Sequence, residues 1–419
     1  VPLDACELEI DLFCNGLRVP AAVSLEGVRG VRRTRAGLGS GLEVVIPTRS
    51  PLKRYIWANV PVVERFVEDS PYVLEGAPLE GYRAVDERDG TKYPIELPRE
   101  PQWYTRPTSR GVPMARIGVL QGTYLGIYIN PVCAFWNYKP ALNCRFCTTG
   151  CNVGDVESVE KTVDDVVETC RAAKEESGIT FVHLNGGFQG SAGIERTLAY
   201  VEAIKERVGL LVGVQLTPER DFHGFDALIE AGADHMSFCL EFFDPAWFAR
   251  ICPGKELMLG QRLFLDAISY CASRMPKGAV SGEIIAGVEP IGSTIAAIEY
   301  ITMLGAFPTI CIFRPTIGSD MEHWAPPRYE DMRRVMLAMY TACRQRRIPI
   351  GAAPRIEVSL VVTPDDAALL AQPTPAVVAY EVWRRAVRVA ARPIFAARMR
   401  RRRSRRHMTA VIPKPVARA

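Results

Sequence analysis

The sequence predicts an α/β fold: a partial (β/α)6 TIM-like barrel preceded by a small β-rich or α+β domain. About six strand-like runs alternate with helical ones between residues 117 and 350, and such alternation implies parallel strands with helices outside. Six units exceed half a barrel but fall short of the eight in a closed one. Residues 1–118 instead hold short runs broken by Pro and Gly, a pattern typical of irregular β structure.

In the N-terminal domain (1–118), 42–46 and 55–60 read as strands, and no helical periodicity is evident. Pro-rich punctuation follows at 97–101 and 106–107. The barrel core (119–350) opens on the strand-like run 117–129. Helices are expected over 163–174, 194–208, 225–231 (ending at Gly232), 258–274 and 294–304. Strands are expected over 180–184, 210–216, 235–240, 279–286 and 309–313. The C-terminal extension (351–395) adds a strand over 351–362 and a helix over 375–391, and 396–419 reads as a basic, disordered tail.

Composition narrows the class. Of the 419 residues, 48% are hydrophobic, enough for a sizeable core, and 23% are charged, as in ordinary soluble proteins. No apolar run reaches the 18 residues that a membrane span needs. Asp4, Glu7, Glu9 and Asp11 do not suit a secretory or organellar leader, so a reducing, cytoplasmic compartment is expected. The net charge of +4 is concentrated in 398–407, which holds seven arginines and no acid. That tail is either solvated or an electrostatic contact for nucleic acid, an acidic partner or a membrane surface. Twelve cysteines in a chain this long are not a disulfide scaffold. Cys170, Cys239, Cys271, Cys311 and Cys343 lie in apolar-periodic contexts and read as core thiols.

Cys133, Cys144, Cys147 and Cys151 are different. They crowd into 19 residues directly after the first barrel strand, and loops at strand C-termini are where αβ barrels place their chemistry. Three thiolates from one loop suit a [4Fe–4S] cluster with one iron left open. The competing reading is a structural zinc site using all four thiolates.

Cys144-Arg145-Phe146-Cys147 resembles the end of the C-x3-C-x2-C motif of radical S-adenosylmethionine (SAM) enzymes, with its aromatic residue before the last cysteine. The first spacing departs from that motif. Cys133 gives C-x10-C-x2-C, whereas the rival set Cys144, Cys147 and Cys151 gives C-x2-C-x3-C. Cys133 is favoured because it ends the strand, and Cys151 is the alternative third ligand. The chain further resembles the uncharacterised radical SAM proteins of bacterial nitrilase-associated gene clusters. That resemblance rests on Pro101-Gln102-Trp103-Tyr104, Gly111-Val112-Pro113, the cysteine loop, Leu240-Glu241 and Arg250-Ile251-Cys252-Pro253-Gly254-Lys255.

The resemblance implies a cluster that cleaves SAM reductively to a 5′-deoxyadenosyl radical. It also implies an unidentified substrate and a low-potential electron donor such as ferredoxin or flavodoxin. Gly186 and Gly187 match a Gly-Gly-Glu motif at the SAM amino group, although Phe188 replaces the acid; a plain tight turn is the alternative. Glu241 suits the ribose or amino group, and Arg250 or Lys255 suits a carboxylate or substrate anion. Ile285 falls in a stretch, 282–289, resembling the strand that lies along adenine, and Gln215 and Arg314 end strands at the mouth. His183 reads as a barrel-interior side chain, and Tyr128, Trp136 and Tyr138 read as packing. Cys151, Cys252, Cys6 and Cys14 are spare thiols for any second cluster, and no D-x-H-x-x-G corrin signature appears in the first 118 residues. The alternative function is a zinc- or cluster-stabilised protein that binds nucleic acid or a partner without catalysis.

Overall fold

The computed structural model describes residues 2–29, 32–33, 40–51, 53–78, 80–190 and 192–400. Residues 401–419, most of the arginine tail, lie outside the described residues. The chain opens with helix α1 (Ala5–Asn15), where no helix is expected from periodicity. Asp4 caps it and Glu7 completes the capping box. Its acids hide the apolar pattern because two of them are buried. Burial pushes the Glu9 carboxyl well above its usual range. Asp11 accepts from Tyr72 at 2.6 Å and from Arg88 at 2.6 Å. Strands β1 (Arg32–Arg33), β2 (Ser40–Pro47) and β3 (Tyr55–Val60) form one antiparallel sheet. A second comprises β4 (Tyr72–Ala77), β5 (Gly81–Asp86) and β6 (Thr91–Ile95). The N-terminal region is thus α+β.

The run 117–129 is a hairpin rather than one strand: β7 (Val119–Gln121) turns at Gly122 into β8 (Tyr124–Tyr128). Gly122 has φ +72°, a left-handed conformation that breaks a strand in two. The cysteine loop follows, with the short helix α2 (Thr149–Asn152). Regular alternation then sets in with α3 (Val163–Ser177), β9 (Phe181–Asn185), α4 (Ala192–Arg207), β10 (Leu211–Gln215) and α5 (His223–Ala231). Next come β11 (His235–Glu241), α6 (Pro245–Ile251), α7 (Pro253–Met258) and α8 (Gln261–Arg274). The barrel ends with β12 (Val280–Ala286), α9 (Ile291–Met303) and β13 (Phe307–Ile312). The helix expected over 258–274 is α8, which begins at Gln261 because Gly260, with φ +77°, separates it from α7.

The sheet order is β13-β12-β11-β10-β9-β8-β7. Strands β8 to β13 are parallel and β7 is antiparallel, which gives the expected six-stranded partial barrel. Side chains alternate across each strand, so 181, 183 and 185 of β9 and 281, 283 and 285 of β12 face inward. Gly213 makes room there: a Cβ on it would fall 2.4 Å from the Phe181 ring.

The chain then forms α10 (Tyr329–Gln345) and α11 (Pro375–Arg398). The strand expected over 351–362 is irregular. It spans the gap between the two sheet edges, where Thr123 N donates to Glu357 O at 3.0 Å. Val362 bridges Ile310 of β13. Its apolar residues close the barrel wall without joining the sheet. Helix α11 extends to Arg398, so 396–398 are helical. No helix among the described residues is long and apolar enough to cross a membrane.

Candidate active site

The cysteine loop leaves β8 and crosses the mouth of the barrel. It is tied to the turn after β9, where Ala134 N donates to Phe188 O at 2.9 Å and the Phe135 and Phe188 rings stack at 4.4 Å. Phe188, standing where the resemblance leads one to expect an acid, therefore anchors the loop. Gly186 and Gly187 admit it. A Cβ on Gly187 would fall 2.6 Å from both Cys133 Cβ and Tyr128 Oη, and one on Gly186 would fall 2.4 Å from Asn130 Nδ2.

Two further anchors hold the loop. Asp320 takes Lys139 at 3.0 Å and Asn143 at 2.9 Å, and its N–H donates to Arg145 O at 2.8 Å. No sequence motif singles out Asp320, which lies about 180 residues downstream. The second anchor is the stretch 252–255. A Cβ on Gly254 would fall 2.3 Å from Leu142 O, so only glycine lets the loop lie there. Cys252, expected as a spare thiol, is buried and hydrogen-bonds Cys144. That bond, with Lys255 nearby, holds the Cys144 thiol below its usual range, whereas burial pushes the Cys133 and Cys147 thiols up.

Cys133, Cys144 and Cys147 all line one cavity of about 590 Å³ running through the barrel. Cys151 does not; its Sγ packs beside Gly318. Among the described residues no three Cys, His, Asp or Glu side chains converge closely enough to grip a single ion. Gly186, Gly187, Gln215, Glu241, Ile285 and Arg314 also line the cavity. Arg250 does not: its guanidinium lies outside, over Trp247 at 5.0 Å and Trp324 at 5.8 Å. Arg314 donates to Asn59 O at 2.7 Å, so it fastens the N-terminal sheet to the mouth.

No family model matches the chain. A curated relative, bacteriochlorophyllide c C-7(1)-hydroxylase from Chlorobaculum limnaeum, is 24% identical over 250 residues. The match covers 54% of this chain and 61% of that protein, so the chain spans less than two thirds of its relative. Among solved structures, methylornithine synthase aligns with a TM-score of 0.42 and 19% identity over 52% of this chain and 62% of that one. A radical SAM methyltransferase from Sphaerobacter thermophilus aligns with a TM-score of 0.41 and 13% identity over 65% and 75%. The chain is similar to radical SAM enzymes.

Two of the carboxylates that line the cavity, Glu241 and Glu283, stand on adjacent strands of the barrel. Glu241 ends β11 at φ +65°, beside an irregularity in the pairing register. A non-glycine residue is held in that conformation only by its surroundings. Here Lys255 supplies them, reaching Glu241 at 2.6 Å and Cys239 O at 2.9 Å. Burial works against the Lys255 charge, but Glu241 and the nearby thiols outweigh it and hold the ammonium well above its usual range. Glu283 on β12 takes hydrogen bonds from Ser237, Gln215 and, at 3.2 Å, Cys239. Gln215 is therefore turned toward a carboxyl, and Cys239, expected as a plain core thiol, borders the cavity. Burial pushes the Glu283 carboxyl up. The inward alternation that marks Ile285 could have identified Glu283 two residues earlier.

Below these groups lies a ring of His183, His235, Phe181 and Phe307. His183 is the interior side chain the sequence suggests. Burial lowers His235 to about 4, and its Nε2 lies 3.2 Å from Ser281 Oγ. The ring is thus neutral in the folded chain, while the unfolded one protonates near pH 6.5. Because the folded value is depressed, the histidine's contribution is intact above pH 6.5 and declines as pH falls toward 4. Urea midpoints measured over that window should fall with pH, and His235→Phe should flatten the slope. An unchanged slope in the variant would refute the assignment.

Proposed function

We propose that this protein is a radical SAM enzyme in which Cys133, Cys144 and Cys147 hold a [4Fe–4S] cluster. The observation that carries this reading is that three thiols from one loop border one cavity while the fourth lies outside it. The donor set fits the group: three soft ligands leave one iron open. When bound, such a cluster supplies the electron that breaks a C–S bond of SAM and starts radical chemistry.

The chain's own residues have distinct parts in this reading. Phe188, Gly187, Gly254 and Asp320 fix the loop. Cys252 donates to Cys144 and tunes the donor strength of that sulfur. The Glu241 carboxylate, oriented by Lys255, offers an acceptor for a hydroxyl or ammonium group of SAM at the mouth. Ile285 offers an apolar wall for the adenine, and the backbone at Gly186 and Gly187 lies open to the cavity. Arg250 is not part of this set, and Arg314 acts through the N-terminal sheet. A low-potential donor such as ferredoxin or flavodoxin would deliver the electron.

The test is anaerobic reconstitution followed by reduction with dithionite in the presence of SAM. The expected products include 5′-deoxyadenosine, with broad absorbance near roughly 400 nm in the reconstituted protein. Colourless protein that takes up zinc in preference to iron would overturn the proposal.

A further inference from the structure

We propose that the lower half of the barrel is a binding tunnel for an extended hydrocarbon chain. The cavity does not stop beneath the cysteine mouth. It is lined at both ends of the parallel strands, at Glu241, Ile285 and Cys311 above and at His235, Leu211 and Phe307 below. His235 and Glu241 are the first and last residues of β11, six steps apart, which is about 20 Å of extended chain. A barrel of this kind normally fills its interior with side chains; here the small residue Ser281 occupies an inward position, while the Phe181 and His183 rings take the space at Gly213 and border the cavity.

The walls are mostly apolar, and charged residues among them are ion-paired, Lys53 to Asp366 at 2.6 Å and Asp234 to Arg398 at 3.1 Å. Ile356, Val358 and Leu360 contribute from the segment that closes the sheet gap. Beneath the strands, α11 presents Val387, Ala391, Ile394 and Phe395 to the cavity, one face at i, i+4, i+7 and i+8. Ile394 is 58% exposed, so the tunnel has a second mouth beside this helix. Two polar groups near the middle are satisfied within the protein: Glu283 holds three side-chain donors, and His235 is neutral and faces Ser281, whereas Asn185 Oδ1 above them has no partner among the described residues. A chain lying beside those two groups forfeits no hydrogen bond and buries each methylene.

The tunnel stands on the cavity alone; placing the substrate's reacting end at the upper mouth rests on the radical SAM reading. The class implied is an amphiphile with one unbranched alkyl or isoprenoid chain, reaching down from the carboxyl layer toward α11.

Calorimetric titration of the reconstituted protein with octanoic, dodecanoic and hexadecanoic acids tests this. Affinity should rise about three- to four-fold per methylene, then level off once the chain spans the tunnel. Leu211→Trp, which fills the tunnel, should weaken hexadecanoic acid binding at least ten-fold. Ile394→Asp, an exposed change at the lower mouth that leaves folding intact, should weaken it in the same direction. Iron content should be unchanged in both. Affinity independent of chain length, or unaltered in Ile394→Asp, overturns the tunnel. Chain binding without 5′-deoxyadenosine formation overturns the radical SAM reading instead, and SAM cleavage without length-dependent binding overturns only the tunnel.

Discussion

Cys133→Ala, Cys144→Ala and Cys147→Ala should each abolish iron binding, and Cys151→Ala should not. The first three thiols border the cavity, and Cys151 packs against Gly318 outside it. A cluster held by three protein ligands cannot keep its corner when one is lost, because the loop brings no further thiol to the cavity among the described residues. Iron per chain should fall from about four to near zero in the three variants, and 5′-deoxyadenosine formation should fall with it to background. Cys151→Ala should keep its iron and absorbance. The long first spacing makes the comparison decisive: if Cys151→Ala loses the cluster and Cys133→Ala retains it, the loop must refold so that α2 supplies the ligand. Cys252→Ala gives an intermediate outcome. Its hydrogen bond to Cys144 is outer support, so iron should remain while the midpoint potential shifts.

The barrel was legible because its signals are local. Inward alternation along β9 to β13 and the glycine ends of helices such as α5 need no knowledge of distant chain. The cysteine loop was legible for the same reason. What escaped was set by distance or by burial of charge. Asp320 is an ordinary surface acid in sequence, and only the fold brings it to Lys139 and Asn143. Helix α1 hides because Glu9 and Asp11 occupy positions that periodicity reserves for apolar residues. One is neutralised by burial, and the other is paired with Tyr72 and Arg88. The run 351–362 looked like a strand because apolar residues recur in it, yet it meets the sheet edges only at single points, Thr123 on one side and Ile310 on the other. Arg250 had the right charge in the right neighbourhood, but a helix turn points it outward onto two indoles.

Lys255→Met should destabilise the protein by about 3–5 kcal/mol, the usual cost of leaving one member of a buried pair alone. Both partners are at most a tenth exposed at the side chain and sit 2.6 Å apart. Urea unfolding of the variant reads this directly; a midpoint equal to that of the wild type would show that the pair contributes no stability. The double variant Lys255→Met with Glu241→Gln separates packing from function. It removes both charges, and most of the stability should return. Iron content should return with it, since neither side chain is a ligand in this scheme. SAM cleavage should stay depressed, because the negative charge at the end of β11 is gone and a neutral amide oxygen accepts more weakly. A double variant that cleaves SAM at the wild-type rate would reduce the pair to a structural prop for the φ +65° turn.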